Sequence, residues 1–261
     1  AGTGSEVSAA AVFTDTANHI KVSCLSPFLR PNFAIVDPLF TVTCPPKVTA
    51  DSGIDALTHA VEAFCAVDND AFPLPSGEKS VYQGKNPMAD MMAGEAIRLV
   101  GRFLRRAVKD GNDLEARDGM ALAATLGGLA FSNAGVALVH AMEYPVGGAV
   151  HVSHGAGNGL LLPFVMRFNL PQRVDQTAQI GVFLGRIEGN GLGELADSAI
   201  REVEQLRRDI GIPTRLRDLG VTEEMLPGFA AKAFAIKRLM RVNPRMPQNE
   251  GEILDIYKAA W

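Results

Sequence analysis

Asp55 and His59 stand four residues apart in GIDALTHAVEA, and that spacing is the first in the chain that could do chemistry. On a helix it places a carboxylate and an imidazole on one face, a turn apart, where they can share a divalent cation. VHAMEYPVGGAVHVSHGAGNG, far downstream, holds three of the five histidines: His140, His151 and His154. Each candidate also has a plainer reading. An isolated pair at this spacing is commonly solvated or capping, His140 suits a core histidine bonded through its ring nitrogens, and His154 suits a loop before Gly155-Ala-Gly. Taken together the groups favour a metal, because the segments carrying them are apolar and burying three imidazoles and a carboxylate uncompensated is costly. The expected ligands are therefore Asp55, His59, His140 and His154. Three nitrogens and one oxygen, with no thiolate, suit Fe2+ or Zn2+ better than Mg2+ or Ca2+. A divalent ion against one carboxylate is a net positive Lewis acid, able to lower the pKa of a bound water or alcohol.

Other motifs carry less. GAGNG, Gly155 to Gly159, imitates a dinucleotide loop, but a broken turn precedes it where a strand is needed; its glycines are expected to let backbones pack closely around the metal. AGTGSE offers small residues and the hydroxyls of Thr3 and Ser5 as a nucleotide contact. His151 is expected to be an exposed loop side chain and His19 a solvated turn residue. No nucleophile elbow is present, and Ser153 beside His154 is not one. The residues alone leave three functions open: metal-assisted oxidoreduction, a metal-dependent hydrolase, and a helical metal-binding module without chemistry.

The elements that must position these groups follow from periodicity. The chain has 261 residues, 47% of them apolar, with a net charge of −4 and no basic run, so it can bury a large core and gives nucleic acid no foothold. Cys24, Cys44 and Cys65 lack metal-ligand spacing and are expected to be buried thiols of a reducing, cytoplasmic setting. Val7–Thr14 and Ile20–Leu25 read as a hairpin, and residues 33–36 as a third short apolar run. Helices are expected from Thr49 or Asp51 to about Val67, Pro87 to Lys109, Leu114 to about His140, Gly155 to Phe168, Pro171 to Arg186, Leu192 to Ile210, Thr222 to Lys237 and Glu250 to Ala260. Residues 68–85 are a loop, and Pro145-Val-Gly-Gly is expected to break the chain. Gly119 to Val139 is uncharged and long enough to cross a bilayer, but its small residues and missing aromatic flank favour a buried central helix over a membrane span. The expected fold is mostly α: residues 1–44 as remnant strands of an α/β unit, residues 45–261 as an all-helical metal-binding domain. Opening on AGTGSEV without Met, the chain is expected to be the later part of a longer protein.

The motifs GTGSEV, the hairpin ending at Lys21, IVDP, GIDALTHAVEA, FSNAG with VHAMEYPVGG, and HGAGNGLLLPFVMRFN occur in one order over essentially the whole chain. In that order they resemble the iron-containing (group III) alcohol dehydrogenases. SVYQGKNPMAD and Tyr144-Pro145 look most like the hydroxyacid-oxoacid transhydrogenase branch; other members often carry His where this chain has Tyr144. The resemblance implies the same four ligands, Asp55, His59, His140 and His154, holding Fe2+, with Zn2+ the alternative. It implies cofactor-lining roles for Thr3 and Lys21, and a place for Tyr144 in the substrate pocket or proton relay, with packing as the competing role. The implied fold is dehydroquinate-synthase-like, an N-terminal dinucleotide-binding domain followed by a helical metal domain with the active site between them. The implied activity is NAD(P)-dependent oxidation of a small alcohol or hydroxy acid, such as 4-hydroxybutyrate, or reduction of the aldehyde or ketone, by a protein that can form a homo-oligomer. By the resemblance, the family's glycine-rich pyrophosphate loop is expected upstream of Ala1.

Overall fold

Pro46 begins the helix around which the others are laid. Its fixed φ suits a first helical position, so α1 spans Pro46–Cys65 and starts ahead of the expected caps at Thr49 and Asp51. From Thr49 to Cys65 every residue but Ser52 is buried. In this computed structural model, which describes residues 2–17, 20–74, 77–185 and 188–261, α1 is the central helix. The expected solvation of His19 and the helix end at Arg186 lie outside the described residues.

Two helices flank α1. Asn86 caps α2 (Pro87–Lys109) through its side chain, and α3 covers Leu114–Ala134. The expected single helix to His140 is instead two. Gly135 takes φ 112° where Tyr82 and Val242 crowd it, and α4 (Leu138–Val150) leaves α3 at 107°. Helix N-termini leave amide donors unmatched. Here the Glu62 carboxylate of α1 accepts from the amides of Ala137 at 2.9 Å and Val139 at 2.7 Å, and so pins the new start. Among the described residues no single helix is long and apolar enough to cross a membrane.

Pro145 does not end a helix. It lies inside α4, which stops at His151, an exposed residue with φ 54°. Burial of the whole segment outweighs the one amide lost at proline. Ser153 then caps α5 (His154–Asn169), accepting from the Ala156 amide and donating to Asp51 on α1 at 2.6 Å. Pro163 is carried within α5.

The remaining helices are α6 (Val174–Leu184), α7 (Leu192–Asp209), α8 (Leu226–Ala235), the short α9 (Lys237–Met240) and α10 (Glu250–Ala260). The expected helix from Thr222 to Lys237 is thus divided, with a 3-10 turn at Glu223–Met225 and a second break at Ile236. Tyr257 on α10 donates to the Met142 carbonyl of α4 at 2.6 Å, and Trp261 to Val221 at 2.9 Å, which fastens the C-terminal layer.

The hairpin is real but shorter than expected at its start. Strand β1 (Ala10–Asp15) pairs antiparallel with β2 (Ile20–Leu25), Ala10 opposite Leu25, and β2 packs on α4. Residues 33–36 form no strand; Phe33 and Ile35 are 90% exposed, since no neighbour offers them a ladder. Cys24 is exposed and Cys44 half-buried, so of the three thiols only Cys65 is buried as expected. The outward face of a two-stranded ribbon cannot bury a side chain.

Candidate metal centre

Three helices converge where the sequence placed its acid and imidazoles. Asp55 and His59 share one face of α1, with His59 Nε2 3.8 Å from Asp55 Oδ2. The kink at Gly135 turns α4 so that His140, three residues into it, brings Nε2 to 4.0 Å from Asp55 Oδ1. His59 and His140 rings stack with centroids 4.8 Å apart. One donor atom from each of Asp55, His59 and His140 can be chosen so that all lie within 4.8 Å of one another, every one buried.

His154 arrives with α5, which approaches α1 through glycines. A Cβ on Gly155 would collide with the Asp51 carbonyl, and one on Gly159 would stand 2.6 Å from Ile54. The close packing expected of GAGNG is therefore present, and it lies between α5 and α1. The His154 ring sits 5.2 Å from that of His140 and 6.1 Å from that of Tyr144.

The amide of Asn158, one turn after His154, tests whether these residues suit a cation. Its nitrogen lies 2.7 Å from Asp55 Oδ1, 3.2 Å from His140 Nε2 and 3.2 Å from His154 Nε2. Two N–H bonds cannot serve three acceptors, and both Asn158 Oδ1 and His59 Nδ1 are buried without a hydrogen-bond partner among the described residues. Acceptors in excess of donors, drawn from three helices, are what a divalent cation satisfies. Asp55, His59 and His140 fit a metal; among the described residues His154 stands outside that close group and reaches it through the Asn158 amide, 3.2 Å from its Nε2.

Carboxylates outside that set orient two of the rings. Glu62 Oε2 lies 2.6 Å from His140 Nδ1, placed to accept from Nδ1–H, and Glu143 Oε2 pairs with Nδ1 of His154. Each leaves Nε2 as the lone-pair nitrogen facing inward. Electrostatics agrees. Burial would raise the Asp55 carboxyl, but His59, His154 and His140 and the Asn158 amide outweigh it and hold it at about 2. Burial drives His59 down to about 4 against the pull of Asp55, so its ring is neutral at pH 7. For His154 burial acts downward, and Glu143 and Asp55 overcome it and raise the ring.

A cavity of about 200 Å³ opens beside these groups, bounded by Thr3, Ser5, Tyr82, Phe131, Tyr144 and the histidines. Gly4, with φ 81°, brings Thr3 there by lying against Gly128 of α3. Tyr144 is buried, and burial raises its pKa against the opposing pull of the nearby Arg238 and Ser23. Lys21 meets the site through Glu143 Oε1, at 2.6 Å.

Sequence reasoning passed over Glu62, Glu143 and Asn158. Their signal was helical spacing from the named groups: three residues after His59, three after His140 and four after His154.

Fold and site together define a helical domain built around a candidate metal centre. Residues 77–261 match the C-terminal part of the Fe-containing alcohol dehydrogenase family, and residues 1–38 match iron-containing alcohol dehydrogenase. The chain is 40% identical to the 1,3-propanediol dehydrogenase of Citrobacter freundii, over 100% of its own length and 63% of that protein. With the mitochondrial hydroxyacid-oxoacid transhydrogenase of Rattus norvegicus it shares 33% identity, over 99% of itself and 59% of that relative. The crystal structure of a 1,3-propanediol oxidoreductase matches it with a TM-score of 0.88 at 39% identity, covering 100% of this chain and 64% of that one. The chain belongs to the Fe-containing alcohol dehydrogenase family, and it spans 63% of the length of the propanediol dehydrogenase relative.

Proposed function

We propose that Asp55, His59, His140 and His154 hold one divalent cation, Fe2+ or Zn2+, and that the protein exchanges a hydride between a small alcohol or hydroxy acid and NAD(P). The observation that carries this reading is the Asn158 amide, surrounded by buried acceptor atoms from three helices. Family membership supports it, as do relatives named for a diol and for hydroxy acids. When bound, the cation supplies Lewis acidity towards a substrate oxygen and the nicotinamide supplies hydride exchange.

The chain's own residues prepare that chemistry. Glu62 and Glu143 keep protons on the Nδ1 atoms of His140 and His154, so both rings offer Nε2. Burial keeps the proton on Tyr144 Oη, which can then donate to a substrate oxygen in the cavity. Phe131 and Tyr82 line the same space with ring surface. Thr3 and Lys21 belong to the proposal as cofactor-side residues, and residues 1–44 as the edge of the nucleotide-binding unit; Thr3 lines the cavity. The free thiols of Cys24, Cys44 and Cys65 fit a reducing, cytoplasmic setting.

Metal analysis of the purified chain beside His154→Ala tests the ligand set. One equivalent of Fe or Zn is expected in the parent and loss of it in the variant; equal loading in both removes His154. Titration with NAD(H) tests the second half, since binding no tighter than millimolar would leave the chain a metal domain only.

A further inference from the structure

Glu143 lies on α4, three residues after His140, and its side chain is fully buried. One oxygen, Oε1, accepts from the Lys21 ammonium of β2 at 2.6 Å; the other, Oε2, pairs with Nδ1 of His154 on α5. Two glycines make the room. A Cβ on Gly147 would run into Glu143 Oε1 and Lys21 Nζ, and one on Gly157 would stand 2.7 Å from Glu143 Cγ. Both helices therefore omit a side chain where the Lys21–Glu143 pair enters.

We infer that Glu143 is a positioning residue that couples docking of the β1–β2 hairpin to loading of the metal centre. This rests on the metal reading above. An imidazole that offers Nε2 to a cation must carry its proton on Nδ1, and a carboxylate holding that proton fixes the ring and strengthens it as a ligand. Glu62 does this for His140 from within the helical core, where its remaining bonds are to backbone amides. Glu143 does it for His154 with a carboxylate whose other oxygen belongs to the hairpin. Removing Lys21 leaves a buried carboxylate short of compensation and free to turn. Seating the hairpin thus fixes Glu143, and Glu143 fixes His154. The coupling is reciprocal by necessity: with a cation bound, the His154 Nδ1–H would hold Glu143 Oε2 more firmly and so keep Oε1 in place for Lys21. The hairpin has need of such an anchor, since its outward face is open, with the paired Phe13 and Val22 60% and 46% exposed.

The test uses the whole 261-residue chain and Co2+ alone as the probe. Co2+ affinity is read from its visible absorption and by competition with Zn2+, and amide exchange of residues 20–25 is followed with and without the ion. In the parent chain, Co2+ slows exchange across β2 several-fold. In Lys21→Met, Co2+ still binds, more weakly, and the slowing of β2 exchange is lost. Glu143→Gln lowers Co2+ affinity by about 10- to 100-fold and shifts the absorption band, because His154 is no longer held. Lys21 enters from the ribbon and not from the core, so its variant decides the matter if Glu143→Gln fails to fold. Parental Co2+ affinity together with parental Co2+-dependent protection in Lys21→Met overturns the coupling and leaves the metal site standing. No Co2+ uptake by the parent chain removes the metal reading and the coupling with it.

Discussion

Glu62 does two jobs with one carboxylate. It accepts from the amides of Ala137 and Val139, and so starts α4, while holding the Nδ1 proton of His140. Glu62→Ala strands three buried donors, each costing about 1–3 kcal/mol, although local relaxation recovers part of the sum. Chemical denaturation should show a loss of about 3 kcal/mol, and metal affinity should fall by about 10- to 100-fold. Glu62→Gln, which keeps an acceptor oxygen, should recover much of the stability and less of the affinity. A Glu62→Ala chain as stable as the parent would mean that Gly135 alone sets the kink. The sequence showed such residues only by spacing. An acid on an otherwise apolar helix is equally consistent with a solvated edge, so Glu62, Glu143 and Asn158 became legible only when α4 and α5 were seen to close over them. Asp55, His59, His140 and His154 were legible earlier because a lone carboxylate and imidazoles in apolar segments demand compensation from one another.

At the scale of elements, the centre depends on how near α5 can come to α1. Gly159 faces Ile54, whose side chain is fully buried and would stand 2.6 Å from an added Cβ. Gly159→Ala should therefore destabilise the fold by about 1–3 kcal/mol and lower metal stoichiometry, as the overpacked contact pushes His154 from Asp55. Gly193→Ala on α7, where an added Cβ meets nothing within 4 Å, is the control and should be neutral or slightly stabilising. Thermal melts and metal content of the pair decide it; equal behaviour would show that α5 can slide without cost. Here local signals misled as well as guided. The uncharged run through Gly135 reads as one helix because composition carries no trace of a turn stabilised from a distant glutamate. Pro145 reads as a break because its lost hydrogen bond is visible in sequence, whereas the burial that outweighs it is not.

For the whole molecule, Cys65 at the end of α1 reports on global opening. Burial pushes its thiol up to about 12 from an ordinary 9.0, so below that range the folded chain keeps it protonated and unreactive. The sign follows. Above pH 9 the unfolded chain sheds this proton and the folded chain retains it, so stability falls with rising pH by up to about 1.4 kcal/mol per unit. A thiol reagent at pH 8 should modify the exposed Cys24 at once and Cys65 only through unfolding. A metal present at 100 times its Kd stabilises the fold by about 2.7 kcal/mol and should slow Cys65 modification by about 100-fold, an effect reversed by chelation. Modification of Cys65 at a rate indifferent to metal would show that the centre and the core open separately.

From the sequence alone came the helical class, the hairpin and Asp55, His59 and His140, which gather at the centre, because periodicity and the cost of burying polar groups are local properties of the chain. Tertiary structure alone decided which helix is central, where α3 gives way to α4, and which carboxylates hold the histidines. Those depend on contacts between residues as distant as Glu62 and His140, or Lys21 and Glu143, whose partnership no spacing along the chain records.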